Sequence, residues 1–146
     1  MNENKVVAIG FVDVSRGDLL GSQQAIINLG RVNLPVQKDG YWLAKTLGKV
    51  SKVMKHELGV AQKESNRLLG ELGTDITDND GNKTGQKGIA QTDVETMSKY
   101  ADAMEAFNTQ MVAIAGCRRV PLSTLEAAGV ALPLADQAAL HWLLQE

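Results

Sequence analysis

Residues 36–73 read VQKDGYWLAKTLGKVSKVMKHELGVAQKESNRLLGELG and contain the strongest periodic pattern in the chain. Apolar or small residues recur there at steps of three and four, which keeps them within a stripe roughly 80° wide on a helix. The residues of this stripe are Leu43, Leu47, Val50, Met54, Leu58, Ala61, Ser65, Leu68 and Leu72. The pattern predicts one long amphipathic helix over 36–72, which ends at Gly73.

The segments before this helix predict a strand and a shorter helix. Residues 5–14, KVVAIGFVDV, are rich in β-branched residues and predict a strand. Ser15 and Asp18 have the pattern of a helix N-cap, and the helix is predicted over 16–29. We expect the strand to pair with residues 118–122, which are predicted to be extended.

The segments after the long helix predict a turn, a second long helix and a closing helix. Residues 74–91 include DNDGN and favour a loop or a small hairpin. Thr92 and Glu95 form a capping-box pattern that opens a helix over 93–115. A last helix is predicted over 133–144, starting at a proline.

Together these elements predict a mainly α fold with a minor β part, in a single domain of 146 residues. Helices 36–72 and 93–115 are expected to form a long antiparallel hairpin. Helix 16–29 covers the first half of the long helix, the C-terminal helix closes the fold, and the β part is a small two-stranded element. Ser123 and Glu126 predict the cap of a very short helix before the closing one.

Three glycines of the long helix are placed regularly. Gly48, Gly59 and Gly70 recur at 11-residue steps and therefore lie along one line, opposite the apolar stripe. Each glycine costs a helix about 1 kcal/mol relative to alanine, so the line favours close approach of another backbone. We expect a homo-oligomeric interface, either a symmetric dimer or a higher oligomer. The alternative is a solvated helix face that tolerates glycine.

The same face of the long helix is basic. Residues 36–73 hold seven Lys or Arg and four Asp or Glu, so this segment is +3 in a chain whose net charge is −2. The cations on or beside the glycine line are Lys45, Lys49, Lys52, Lys55, Lys63 and Arg67. They form a candidate site for an anionic ligand such as a nucleotide.

The sequence lacks the motifs of common catalytic and cofactor sites. A single cysteine, Cys117, excludes an intrachain disulfide, and with two histidines it is too little for a closed zinc site. In a calcium-loop register, Ile76 and Lys87 would fall where carboxylates are needed. There is no phosphate-binding loop, nucleophile elbow or dinucleotide fingerprint. We therefore expect a protein that is not an enzyme and has no metal or cofactor.

No apolar run approaches the length of a membrane span, and the use of cysteine fits a reducing compartment. These observations predict a cytoplasmic protein without a membrane partner. The net charge of −2 excludes a protein that is basic overall, as many nucleic-acid binders are.

The order of motifs resembles a loose group of short, uncharacterised proteins of tailed phages and prophages that contain a long helical hairpin. The resemblance covers about residues 16–146, and the strand at 5–14 departs from the shared plan. The residues that carry it are Ile26-Ile27-Asn28-Leu29, Leu34-Pro35, Leu68-Leu69-Gly70-Glu71-Leu72-Gly73, Asp78-Asn79-Asp80-Gly81-Asn82, Val120-Pro121-Leu122 and Pro133-Leu134-Ala135-Asp136. The resemblance implies a viral protein in the host cytoplasm and provides no catalytic residue.

Two classes of function follow from these features. The first is a phage accessory protein that counters host defence, either by sequestering an anionic nucleotide signal or by inhibiting a host protein. The second is a virion or tail assembly protein. A weak nucleic-acid-binding module ranks third, because a charge of +3 over one helix is weak beside a net charge of −2.

Overall fold

In the computed structural model, which describes residues 11–32 and 38–146, the chain is mainly helical with a minor β part, as predicted. The helices are α1 (Arg16–Gly21), α2 (Gln23–Gly30), α3 (Lys38–Leu72), α4 (Val94–Asn108), α5 (Leu122–Ala127) and α6 (Leu134–Ala139). The strands are β1 (Phe11–Ser15), β2 (Thr74–Thr77), β3 (Lys83–Gly88), β4 (Met111–Ala115), β5 (Val120–Pro121) and β6 (Leu144–Gln145). They pair as β1 with β4, β2 with β3, and β5 with β6.

The long helix α3 has 35 residues and is therefore about 52 Å long. It matches the prediction over 36–72, except that residues 36 and 37 lie outside the described residues. Its buried face overlaps the predicted stripe, since Leu43 and Leu68 are also buried, but is shifted toward Thr46 and Glu57. Val50 and Met54 are buried, but Leu58 is 47% exposed, and Thr46 and Glu57 are buried in its place. Glu57 faces inward because it pairs with a buried arginine of α1.

The predicted helix over 16–29 is two helices. Ser22 is fully buried between α1 and α2, and its Oγ donates a hydrogen bond to the Leu19 carbonyl at 2.7 Å. A serine that bonds back to the preceding turn competes with the helical pattern, so the single-helix prediction is wrong at this residue. The N-cap prediction is confirmed, because Ser15 Oγ accepts the Asp18 N–H at 3.2 Å.

The partner of β1 differs from the prediction. Strand β1 pairs antiparallel with β4, from Phe11 opposite Ala115 to Ser15 opposite Met111, and not with residues 118–122. The predicted helix over 93–115 is therefore wrong in its last part, since α4 ends at Asn108. The β-branched residues of β1 and β4 supply the reason, because they bury against the core from an extended backbone. Residues 5–10 of the predicted strand lie outside the described residues.

The C-terminal region is also less helical than predicted. Helix α6 ends at Ala139, and the chain then turns so that β6 pairs in parallel with β5. The prediction of a helix over 133–144 is therefore wrong after Ala139. Leu140 and Leu143 are fully buried on either side of the turn, so burial of leucine outweighs continuation of the helix. The very short helix exists as α5, but Pro121 precedes it and no side chain caps it.

Residues 74–88 form the small hairpin that the sequence allowed. Asp78 Oδ1 accepts hydrogen bonds from the backbone N–H groups of Asp80 and Asn82, both at 2.9 Å, and so holds the turn. Helix α4 begins after Asp93, whose carboxylate accepts the Thr96 N–H at 3.1 Å. The cap is thus Asp93 and not the predicted Thr92.

Helices α1 and α2 pack on α3, and α4 also contacts α3. The Ser65 and Tyr100 hydroxyls lie 2.6 Å apart and join α3 to α4. Among the described residues, no helix is both long enough and apolar enough to cross a membrane.

Candidate anion-binding site

The six cations predicted to bind an anion are all exposed on α3. From Lys45 to Arg67 they extend over about 33 Å of helix. This distance is too long for one small ligand. The six residues therefore do not form a single site, and their local surroundings decide which of them can act together.

Arg67 is already occupied by carboxylates. It bonds to Glu64, one turn before it, and its Nη1 donates to Glu71 Oε1 at 2.6 Å. The hydrogen bond with Arg67 holds the pKa of Glu64 below its usual value, and the pKa of Arg67 is raised in turn. The charge of Arg67 is therefore balanced within its own helix, and its assignment to an anion site remains a prediction.

The opposite end of α3 carries a different arrangement, which we term the aromatic–cationic cluster: Tyr41, Trp42, Lys45 and Arg118. The two rings meet edge to face, with centroids 6.0 Å apart. Lys45 Nζ lies 5.2 Å from the centre of the Trp42 ring and 5.8 Å from that of Tyr41. Arg118 Cζ lies 4.2 Å from the centre of the Trp42 ring. Both cations therefore lie within cation–π range of a ring.

Two local features bring this cluster together. The rings and Lys45 lie within the first turns of one helix, so their spacing follows from helix geometry. Arg118 arrives from the end of β4, where Gly116 turns the chain with φ of 72° and Cys117 is buried directly after it. A Cβ atom added at Gly116 would lie 3.7 Å from Lys49 Nζ, so Lys49 lies against this turn. Lys45, Lys49 and Arg118 thus belong to one region.

The charged groups of the cluster, Lys45 and Arg118, are both positive. Among residues 11–32 and 40–146, whose side chains the structure describes, no carboxylate forms an ion pair with Lys45, Lys49 or Arg118. Tyr41 is 63% exposed, so its ring is open to solvent beside these charges. The cluster therefore presents an open aromatic ring, a guanidinium and one ammonium group, and Lys49 beside it adds a second ammonium group. A flat group can stack on such a ring, and an anion can bind such cations.

The sequence identified only part of this cluster. It placed Lys45 and Lys49 on a basic face of the long helix. It did not connect them with Arg118, whose only signal is that it follows Gly116 and stands beside a second arginine. Lys52, Lys55 and Lys63 are farther along α3 and contact no aromatic ring among the described residues.

The glycine line serves no contact within the described part of the chain. At Gly48, Gly59 and Gly70, an added Cβ atom would meet no atom within 4 Å. All three are exposed on α3. Their assignment to an interface between copies remains a prediction.

Residues 11–32 and 38–146 contain potential metal ligands and the thiol of Cys117. No group of three or more His, Cys, Asp or Glu residues is placed there to hold a metal ion. Cys117 is buried, its thiol donates to the Ile114 carbonyl at 3.5 Å, and burial raises its pKa. A thiol that is buried and protonated is a poor nucleophile.

No family model, curated protein or solved structure matches the chain.

Proposed function

We propose that the protein is a non-enzymatic binding protein whose aromatic–cationic cluster holds an anionic nucleotide. The observation that carries the proposal is the placement of Arg118 and Lys45 against Trp42, beside the exposed ring of Tyr41. A nucleotide offers the two complementary groups, a flat base and a charged phosphate. Stacking of a base on an aromatic side chain contributes about 1–3 kcal/mol.

The cations supply the phosphate side of this proposal. The guanidinium of Arg118 binds two phosphate oxygens at once in the most favourable geometry. Lys45, Lys49 and Lys52 follow one another along about 10 Å of α3, which suits a ligand with more than one phosphate. Lys55 and Lys63 extend the positive surface but lie beyond the reach of a mononucleotide.

The biological role proposed here is that of a phage accessory protein in the host cytoplasm. By holding a nucleotide signal, such a protein would counter a host defence that depends on that signal. In this role α3 and α4 act as the antiparallel helical hairpin that supports the site. The motif order along residues 16–146 and the modest size of the domain are consistent with this role.

The second candidate is a protein-binding function, either that of a virion or tail assembly protein or the other form of the accessory role, direct inhibition of a host protein. It is supported by exposed apolar residues in a groove between α1, α2 and α3, among them Ile27 and Leu58. A surface of this kind is typical of contacts between proteins.

The two candidates are separated by ligand-induced stabilisation. We expect at least one cyclic nucleotide or ADP-ribose derivative to raise the melting temperature of the protein, whereas a rise with short DNA alone would indicate a nucleic-acid-binding module instead. A ligand at 100 times its Kd adds about 2.7 kcal/mol to the free energy of unfolding. Isothermal titration calorimetry then measures the affinity of any ligand that raises the melting temperature.

Variants locate the site. Arg118→Ala and Lys45→Glu should each weaken nucleotide binding by about tenfold or more, since each removes a charge-assisted contact. Lys63→Glu is the matched control, because it makes the same charge change on the same helix about 27 Å from Lys45. The proposal fails if no nucleotide binds, or if the control weakens binding as much as the cluster variants do.

A further inference from the structure

An open apolar groove lies where α1 and α2 meet α3. It has a volume of about 580 Å³. Ile27 and Leu58 on its walls are 49% and 47% exposed. Lys55 lines the groove beside Leu58 and is exposed. The groove is also lined by Leu20, Ile26, Ser51 and Met54. An open apolar groove of this kind can bind the apolar face of a helix.

Helix α4 has an apolar face that the chain leaves uncovered. None of its fifteen residues, all of which the structure describes, is buried. Its side toward α3 carries Tyr100, and its outward side carries Val94, Met97 and Ala101 at steps of three and four. Val94 is 71% exposed and Met97 is 43% exposed. Because helices in proteins are stabilised mainly by burying an apolar face, we expect a partner to cover this face of α4.

The charges of the two surfaces are opposite. The outward side of α4 carries Glu95, Asp102 and Glu105, all exposed. The groove carries the ammonium of Lys55, and no carboxylate is among the residues that line it. Glu95 already pairs with Lys99 at 3.6 Å, whereas Asp102 has no ion-pair partner among the described residues. Glu105 is likewise unpaired among the described residues, but Asp102 directly follows Ala101, so Asp102 is the acid placed to meet Lys55.

We infer that the groove between α1, α2 and α3 binds helix α4 of a second copy of this chain. Val94, Met97 and Ala101 stand at positions i, i+3 and i+7, the anchor spacing of a helix that lies in a groove. Both surfaces belong to the same chain, so a two-fold dimer fills each groove with the helix of the other copy. This contact is separate from the aromatic–cationic cluster and does not depend on the proposed nucleotide.

Oligomeric state is the first test. Sedimentation velocity or light scattering should give twice the chain mass of 15.7 kDa, with dissociation on dilution. Leu58→Glu and Met97→Glu should each weaken dimerisation by about tenfold or more, because each places a charge in the apolar contact. Ile76→Glu is the matched control, since Ile76 is a similarly exposed apolar residue on β2, outside both surfaces. A mass of 15.7 kDa at every concentration, or equal effects of all three variants, overturns the inference.

Cross-linking identifies the pair of surfaces. Under mild oxidation, a mixture of Leu58→Cys and Met97→Cys proteins should form a disulfide-linked heterodimer, whereas neither variant alone should do so. Cys117 is buried and does not compete. Cross-linking of Leu58→Cys to itself would indicate a contact through α3 alone and would overturn the inference. As a charge-swap check, Lys55→Glu should weaken the dimer, and Lys55→Glu combined with Asp102→Lys should restore it.

Discussion

Arg16 brings a positive charge into the interior, at the point where α1, α3 and the end of α4 meet. Its Nε lies 3.5 Å from Glu57 Oε2, and both side chains are about nine-tenths buried. Its Nη1 donates to the Phe107 carbonyl at 2.6 Å and to Gln110 Oε1 at 2.9 Å. The guanidinium also lies 3.9 Å from the centre of the Phe107 ring. One residue therefore joins three helices through different kinds of contact.

Removal of this arginine should cost more than removal of its acid partner. Arg16→Met leaves Glu57 buried without its partner, and we expect the free energy of unfolding to fall by about 3–5 kcal/mol. Glu57→Gln should cost less, because Arg16 keeps the Phe107 and Gln110 oxygens as acceptors. Urea denaturation followed by circular dichroism measures both. Arg67→Met is the control at an exposed ion pair, where a change within about 1 kcal/mol is expected. Equal losses for Arg16→Met and Arg67→Met would contradict the assigned role.

At the scale of elements, the sequence was most informative where its pattern was longest. Helix α3 was predicted almost to its observed ends, because many turns repeat the same spacing. The orientation of α3 was less predictable. A hydrophobic stripe treats Glu57 as outward and Leu58 as inward, yet the partner of Glu57 is Arg16, which lies in another helix. Contacts with distant segments decide such rotations, and a single helix does not encode them.

The missed strand β4 has a similar cause. Met111, Val112 and Ile114 continue the apolar spacing of α4, so a helix pattern and a short strand pattern overlap there. The overlap is resolved by β1, which pairs with residues 111–115 in an antiparallel register. Such pairing depends on contacts between distant segments and is invisible to local periodicity. The break between α1 and α2 at Ser22 has a local cause, the hydrogen bond of the Ser22 side chain. A serine within a helical pattern does not by itself predict such a break.

The exposed glycines of α3 allow a test at the same scale. At Gly59, an added Cβ atom meets no described atom within 4 Å, so Gly59→Ala should raise the free energy of unfolding by about 1 kcal/mol. Gly59→Leu should keep the helix content, and it should weaken self-association if the glycine line is an interface. Thermal unfolding and sedimentation of both variants provide the measurements. Gly129→Ala is the contrasting control, because Gly129 has φ of 75° and alanine is strained there. Unchanged association of Gly59→Leu would leave the line as a solvated face.

At the scale of the whole molecule, the candidate site combines segments that are far apart in sequence. Tyr41, Trp42 and Lys45 come from the start of α3, and Arg118 comes from the turn after β4. The sequence could therefore predict a basic helix but not the aromatic–cationic cluster. Arg67 shows a second limit of the sequence pattern. It has the charge and the helix face expected for anion binding, but its guanidinium already pairs with Glu64 and Glu71. Charge patterns indicate candidates, and only contacts between elements select among them.

One buried core joins β1, α1, α2, the first part of α3, β4 and the C-terminal segment through β6, and it includes no residue of α4 or of the β2–β3 hairpin. Val12, Leu43, Trp142 and Leu144 all belong to one buried cluster. Strand β6 closes it, since Leu144 is buried opposite Val120 in the parallel pair. A continuous core of this kind unfolds as one cooperative unit in a small protein. The two tryptophans lie at different parts of this structure, so they can report whether the parts unfold together.

We expect Leu144→Ala to destabilise the region around Trp42 and the region around Trp142 equally. The substitution deletes a buried leucine, so the free energy of unfolding should fall by about 2–5 kcal/mol. In Trp142→Phe protein the fluorescence comes from Trp42, and in Trp42→Phe protein it comes from Trp142. Urea unfolding of each, with and without Leu144→Ala, should give midpoints that shift together. A shift seen only by Trp142 would mean that the C-terminal segment unfolds separately and that α3 with β1 is stable without it. A shared shift is the outcome required by one core, because the loss of Leu144 then lowers the stability of every residue packed against it.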